Sequence, residues 1–294
     1  MSARQTSKTR LLVQVGAAFV AALQWRLLAL WTALFLVPTA MAAFPFWRVL
    51  ASALDHSPRA AELAKGFDML AFGDVAAVAY RSSAALTGAA VASSLVWILL
   101  LPLVAGMILA SVRADQSLGF ARLLQGGVAW YGRMFRILLV SLIPLALVGF
   151  LATLLSKAAT RYAEHVTLEA HADGASYGAL GVTLLLFVLV HATIEAGRAE
   201  LGADDELRSA WRAWLRGVRL TARRPLAVLG VYLAASVAGW FVAAALLFLR
   251  LRVAVGAEAG FWGGFFLTQL AVVAIAWGKA TRLFALTALA RAQG

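Results

Sequence analysis

Cysteine is absent from this sequence altogether, which excludes disulfides, thiolate metal sites, iron–sulfur clusters and cysteine nucleophiles. Charge is scarce as well: Asp, Glu, Lys and Arg make up 14% of the residues, against about one-quarter in an ordinary soluble domain. Acid is scarcer than base, and no paired carboxylates fall inside a long apolar run. The phosphate-cradling Walker loop, the dinucleotide-binding glycine pattern, His-Glu-x-x-His and Gly-x-Ser-x-Gly are all missing. An ordinary soluble-type enzyme domain is therefore not written here, no cofactor is implied, and a non-enzyme is the first expectation.

Apolar residues fill the space that charge leaves. They make up 63% of the 294 residues, more surface than a soluble fold could hide. Six uncharged or nearly uncharged runs stand out, at Leu27–Phe46, Ala85–Val112, Ile137–Ser156, Ala179–Glu195, Leu226–Leu249 and Phe261–Gly278. A bilayer span needs about 20 such residues, and only helices or closed barrels satisfy their backbone groups in hydrocarbon. The alternating pattern of barrel strands is absent. The expected fold is all-α: one integral membrane domain over 1–294, a polytopic bundle of six transmembrane helices with amphipathic interfacial helices. Pro38, Pro102 and Pro144 interrupt spans, and Ser93, Ser94 and Gln269 are polar groups expected to bond to neighbouring helices.

The net charge of +12 does not indicate nucleic acid, because the basic residues are not gathered in one module with interleaved aromatics. They lie between the apolar runs. With six spans the termini share a side, and 18 of the 26 Lys and Arg fall on that side against 8 on the other. By the positive-inside rule both termini are cytoplasmic, and a bacterial inner membrane is the expected location. Met1 to Leu23 has the layout of a secretory signal, with Arg4, Lys8 and Arg10 before an apolar run. The run is too short to cross alone, so 1–26 is expected as a cytoplasmic or interfacial segment.

Two connections carry structure of their own. The outer one, from Trp47 to Ala84, balances four basic against four acidic residues and is expected to form one or two short amphipathic helices, one starting at Ser57-Pro58 and ending near Gly66. The inner one, 204–224, is the clearest amphipathic element. Leu207, Trp211, Trp214, Leu215 and Val218 share one arc, and Arg208, Arg212, Arg216, Arg219 and Arg223 form an adjacent stripe. Such a helix is expected to lie in the interface, tryptophans at headgroup depth and arginines toward anionic headgroups at the cytoplasmic face or a partner's acidic surface. Asp204, Asp205 and Glu206 stand before it, where the helix dipole favours anions.

Three further groups are candidates. His191 and Glu195 share a face near the inner end of the fourth span, with Arg198 three residues on; ionisable groups at this depth mark proton or substrate paths in many membrane proteins. Gln269 is a polar residue of the sixth span. Beyond the third span, His165 and Glu169 stand at i, i+4 with His171 close by, a spacing two metal ligands can share but no known zinc signature. Trp130 and Tyr131 with Arg133 and Arg136 have the composition of an interfacial anchor.

Trp25-Arg26-Leu27-Leu28-Ala29-Leu30-Trp31, Leu54-Asp55-His56-Ser57, Gly66-Phe67-Asp68, Tyr131-Gly132-Arg133 and the stretch Glu195 to Pro225 together resemble a group of uncharacterised bacterial six-helix integral membrane proteins. The last stretch is also distantly similar to the membrane domain found fused to glycerophosphodiester phosphodiesterases, though this chain has no such catalytic domain. The resemblance implies a bacterial membrane placement and supplies no activity or functional residues. Three function classes are left, in this order: a non-catalytic membrane subunit or scaffold that anchors or assembles a membrane-protein complex, a transporter or permease component, and a lipid-acting membrane enzyme.

Overall fold

The apolar runs become six helices long and apolar enough to cross a bilayer, and the chain is an all-α, multi-pass membrane bundle. The computed structural model describes residues 16–54, 69–114, 116–253 and 258–292. After a short helical stretch at 16–21 come α1 (Trp25–Leu54), α2 (Met69–Arg81), α3 (Ser83–Arg113), α4 (Phe120–Ala163), α5 (Glu169–Ala203), α6 (Ala210–Arg223), α7 (Pro225–Arg252) and α8 (Glu258–Arg291). Among the described residues there is no strand. The expected helix start at Ser57-Pro58, its end at Gly66, and the segment before residue 16 lie outside the described residues.

Most of the helices run well past the expected spans. α4 takes in the whole stretch from Phe120, so the connection between the second and third spans shrinks to a few residues and the anchor group at 130–136 sits on the helix itself. α5 continues beyond Glu195 to Ala203, and α8 beyond Gly278 to Arg291. The extensions are helical because their inward positions are small or apolar and fully packed: Ala196, Ala199 and Leu201 on α5, and Ala280, Leu283, Leu286 and Leu289 on α8. The prolines at 38, 45, 102 and 144 are all carried inside continuous helices. Beside the first of them, Ser93 Oγ on α3 donates to the Pro38 carbonyl of α1 at 2.7 Å, the interhelical bond its sequence position suggested.

Packing is uneven along the bundle axis. The core lies in the half that holds Trp25 and Arg291, hereafter the terminal half, where Leu27, Met107, Ile108, Leu123, Met134, Leu201 and Leu286 are fully enclosed. The opposite half leaves Phe150, Leu185, Trp240, Phe241, Phe248 and Phe266 exposed. Each would cost about 1.5–3 kcal/mol facing water, whereas lipid tails make a neutral neighbour. Glycine contacts set the close crossings of the terminal half. A Cβ on Gly106 would lie 2.8 Å from the Gly127 carbonyl of α4, and one on Gly278 of α8 2.8 Å from the Ala235 carbonyl of α7.

Candidate functional site

The second of these crossings brings polar residues of three helices together. Because Gly239 and Gly278 let α7 and α8 touch backbone to backbone, Arg282, one turn further along α8, lies beside the α7 residues Tyr232 and Ser236. Its Nη1 donates to Ser236 Oγ at 2.9 Å, and its guanidinium carbon stands 5.0 Å from the Tyr232 ring centre. Ser236 Oγ in turn donates to the Tyr232 carbonyl. Tyr232, otherwise buried, places its hydroxyl 2.9 Å from His191 Nδ1 on α5.

From His191 the contacts run along α5. Its Nε2 is 3.9 Å from Glu195 Oε1, and the same oxygen accepts a 2.7 Å bond from Arg198 Nη1. The i, i+4 and i, i+3 spacings put these side chains on one face. Glu195 is only 1% exposed, so its charge depends on these partners. Arg282 and Lys279 of α8 also act on it through space. Lys279 itself lies over the Trp31 ring of α1, its Nζ 5.4 Å from the ring centre. His191 and Glu195 are thus brought together as their spacing implied, within a cluster that also contains Arg198, Tyr232, Ser236, Lys279 and Arg282. Gln269 takes no part: it is half-buried, ten residues before Lys279 on α8 and so about 15 Å away along the axis.

The opposite side of the same α5 segment carries α6. A Cβ on Gly197 would lie 3.0 Å from Trp214 Cα, and one on Gly217 would meet the Gly197 backbone and lie 2.6 Å from the Thr193 carbonyl. Trp214 Nε1 donates to Thr193 Oγ1 at 3.2 Å. The buried face of α6 is Ala210, Ala213, Gly217, Leu220 and Thr221, a small-residue face distinct from both stripes legible in the sequence. At 100° per residue the three faces point roughly 120° apart. One is packed on α5, one carries Trp211, Leu215 and Val218, and one carries Arg212, Arg216, Arg219 and Arg223. Trp211 and Leu215 are exposed and the four arginines face outward, while Trp214 is half-buried. Arg208 precedes the helix and is exposed, whereas Leu207 is buried in the core.

The acidic turn before α6 corrects an expectation. Ser209 is the N-cap, its hydroxyl accepting the Arg212 N–H at 3.4 Å, so Asp204, Asp205 and Glu206 lie too far upstream to serve the helix dipole. They hold arginines instead. Asp204 accepts from Arg216 Nη1 at 2.7 Å and Asp205 pairs with Arg113 of α3. The Arg216 bond holds the Asp204 carboxyl below its ordinary range. Turn, α6 and the end of α8 border an open groove of about 710 Å³, with Arg219, Arg223 and Arg291 along it.

The remaining candidates separate. Trp130 on α4 has the guanidiniums of Arg133 and Arg113 over its ring at 4.8 and 5.4 Å, and Tyr131 donates to the Leu99 carbonyl of α3. Arg136 donates to the Gly132 carbonyl on its own helix. At the far end, α4 stops at Ala163 and α5 starts at Glu169, so His165 and Glu169 do not share a helix face. His165 Nδ1 instead lies 2.7 Å from the Arg161 carbonyl. Among the described residues no three His, Asp or Glu are placed to hold a metal, and His165, Glu169 and His171 form no such group.

Compared with family models, with curated proteins and with solved structures, the chain matches none.

Proposed function

We propose that this chain is a non-catalytic subunit or scaffold of a bacterial inner membrane, its termini cytoplasmic, which anchors a partner complex and anionic headgroups through α6. The observation that carries the reading is the way α6 is held. A helix serving only as a lipid float needs one apolar face and one charged face. Here a third, small-residue face fixes the helix to α5, and the Asp204 and Asp205 pairs fix the turn before it. Two faces, one aromatic and one cationic, are thereby displayed in a set direction beside a groove of mixed charge. The excess of Lys and Arg on this side supports the cytoplasmic assignment.

The reading is tested by purifying the protein from native membranes in mild detergent, as wild type and with Arg212, Arg219 and Arg223 changed to Gln. A stoichiometric partner that the triple variant loses while inserting normally is the expected result. Recovery of the wild type alone, or equal recovery of the partner by both, contradicts it.

A second reading, a permease component, is favoured by the line Tyr232–His191–Glu195–Arg198 within the helices. An ATPase partner, and a transport activity abolished by combined His191→Ala and Glu195→Ala, would support it over the scaffold.

A further inference from the structure

The ion cluster does not balance. Glu195 is its one carboxylate and is bonded to Arg198, which leaves the charges of Arg282 and Lys279. Arg282 uses Nη1 on Ser236, while its Nε is buried with no acceptor among the described residues. Lys279 faces an indole ring, and among the described residues no carboxylate lies within 4 Å of it. Two cations without a counter-charge among the described residues are costly in the low-dielectric interior of a helix bundle. A bound anion removes that cost.

Depth and access narrow the anion. Tyr232 is seven residues from the start of α7, Glu195 eight from the end of α5, and Arg282 nine from the end of α8. At 1.5 Å per residue each lies roughly 10–14 Å inside the terminal end of its helix. α7 spans about 42 Å, the thickness of a bilayer with its headgroups. The cluster therefore sits just below headgroup level. It is reachable from the side, because α7 packs mainly on α8 and only lightly on α5. The seam between α5 and α7, bridged by the Tyr232–His191 contact, is flanked by the exposed side chains of Phe187, Leu233 and Val237, and the His191 side chain in it is 23% exposed. A guanidinium with an unused N–H and an ammonium three residues away on the same helix suit a tetrahedral oxyanion with several acceptor oxygens.

We propose that the seam between α5 and α7 binds one phosphate group, held by Arg282 and Lys279 beside the Tyr232–His191 pair. The proposal is independent of partner docking at α6. Two sources supply this chemistry, the headgroup of an anionic phospholipid entering sideways and free phosphate.

The test is native mass spectrometry of the full chain in maltoside micelles, titrated separately with phosphatidylglycerol and with inorganic phosphate. One saturable copy of the lipid, not displaced by phosphate, identifies the lipid. One saturable copy of phosphate identifies the free anion. Arg282→Gln weakens whichever binds by at least ten-fold and Lys279→Gln by several-fold, while Lys157→Gln near the far end of α4 stays within two-fold of wild type. Arg282→Lys, which keeps the charge and the fold, retains part of the affinity. Absence of a saturable single copy on the wild-type protein overturns the proposal. So does Arg282→Gln binding like wild type.

Discussion

The Tyr232 hydroxyl lies 2.9 Å from His191 Nδ1 and joins α7 to α5. If the hydroxyl donates, the ring proton resides on Nε2, the nitrogen that faces Glu195. One bond then fixes both the tautomer and the direction of the imidazole. Tyr232→Phe should free the ring and weaken the α5–α7 contact. A double-mutant cycle of Tyr232→Phe and His191→Ala, read by denaturant unfolding in detergent, should give a coupling of about 0.6 kcal/mol and at most roughly 1.7. Strict additivity would mean the pair does not interact.

Glu195 is the one buried carboxylate of the cluster, so its loss should be felt more than that of any surface acid. Glu195→Gln leaves Arg198, Arg282 and Lys279 facing one another, and a loss of about 3–5 kcal/mol is expected. Adding Arg198→Gln should recover part of it. A Glu195→Gln protein with wild-type unfolding would show that the cluster is solvated.

At Gly217 there is no room for a side chain against Gly197 and Thr193. Gly217→Val should lift α6 from α5 and cost roughly 1–3 kcal/mol. All six spans should stay inserted. Trp214 should lose its bond to Thr193, seen as a red shift of tryptophan emission, and unchanged emission would argue against the docking.

Asp204 gives a pH dependence with a definite sign. Its carboxyl is held below the ordinary value by Arg216, so the pair is fully present above the unfolded carboxylate pKa, about 3.9. It is lost as pH falls through the lower folded value. Hydrogen exchange across 204–216 should therefore be constant from neutral pH to about 5, after correction for intrinsic rates, and rise only in stronger acid. Asp204→Asn should exchange fast throughout.

Hydropathy made the six crossings legible, because a run such as Leu226–Leu249 has no other stable home. It placed their ends poorly, since a 20-residue window stops where charge resumes. A span that ends at Gly278 leaves Lys279 and Arg282 outside it, whereas the helix continues and holds them, half-buried, beside the core residues Ala280 and Leu283. The small residues around them, Ala276, Ala280 and Thr281, are all buried and were the available signal. The same limit hid the docking face of α6. Trp211 and the arginines dominate any helical wheel, whereas Ala210, Ala213 and Gly217 carry little hydropathy, and Gly197, the partner that gives them meaning, is on another helix. His191 and Glu195 were legible because they share one helix; Tyr232 and Arg282 were not, because only tertiary packing brings them near.

The absence of cysteine makes the most direct test simple. Single cysteines at Arg219 on the outward face of α6, Ala213 on its docked face and Lys157 near the far end of α4 can be probed with a membrane-impermeant maleimide. In inside-out vesicles the Arg219→Cys variant should label rapidly, with Ala213→Cys and Lys157→Cys protected; in right-side-out vesicles only Lys157→Cys should label. Labelling of Arg219→Cys and Lys157→Cys from the same side, or of Ala213→Cys as fast as Arg219→Cys, would contradict a cytoplasmic helix docked on the bundle.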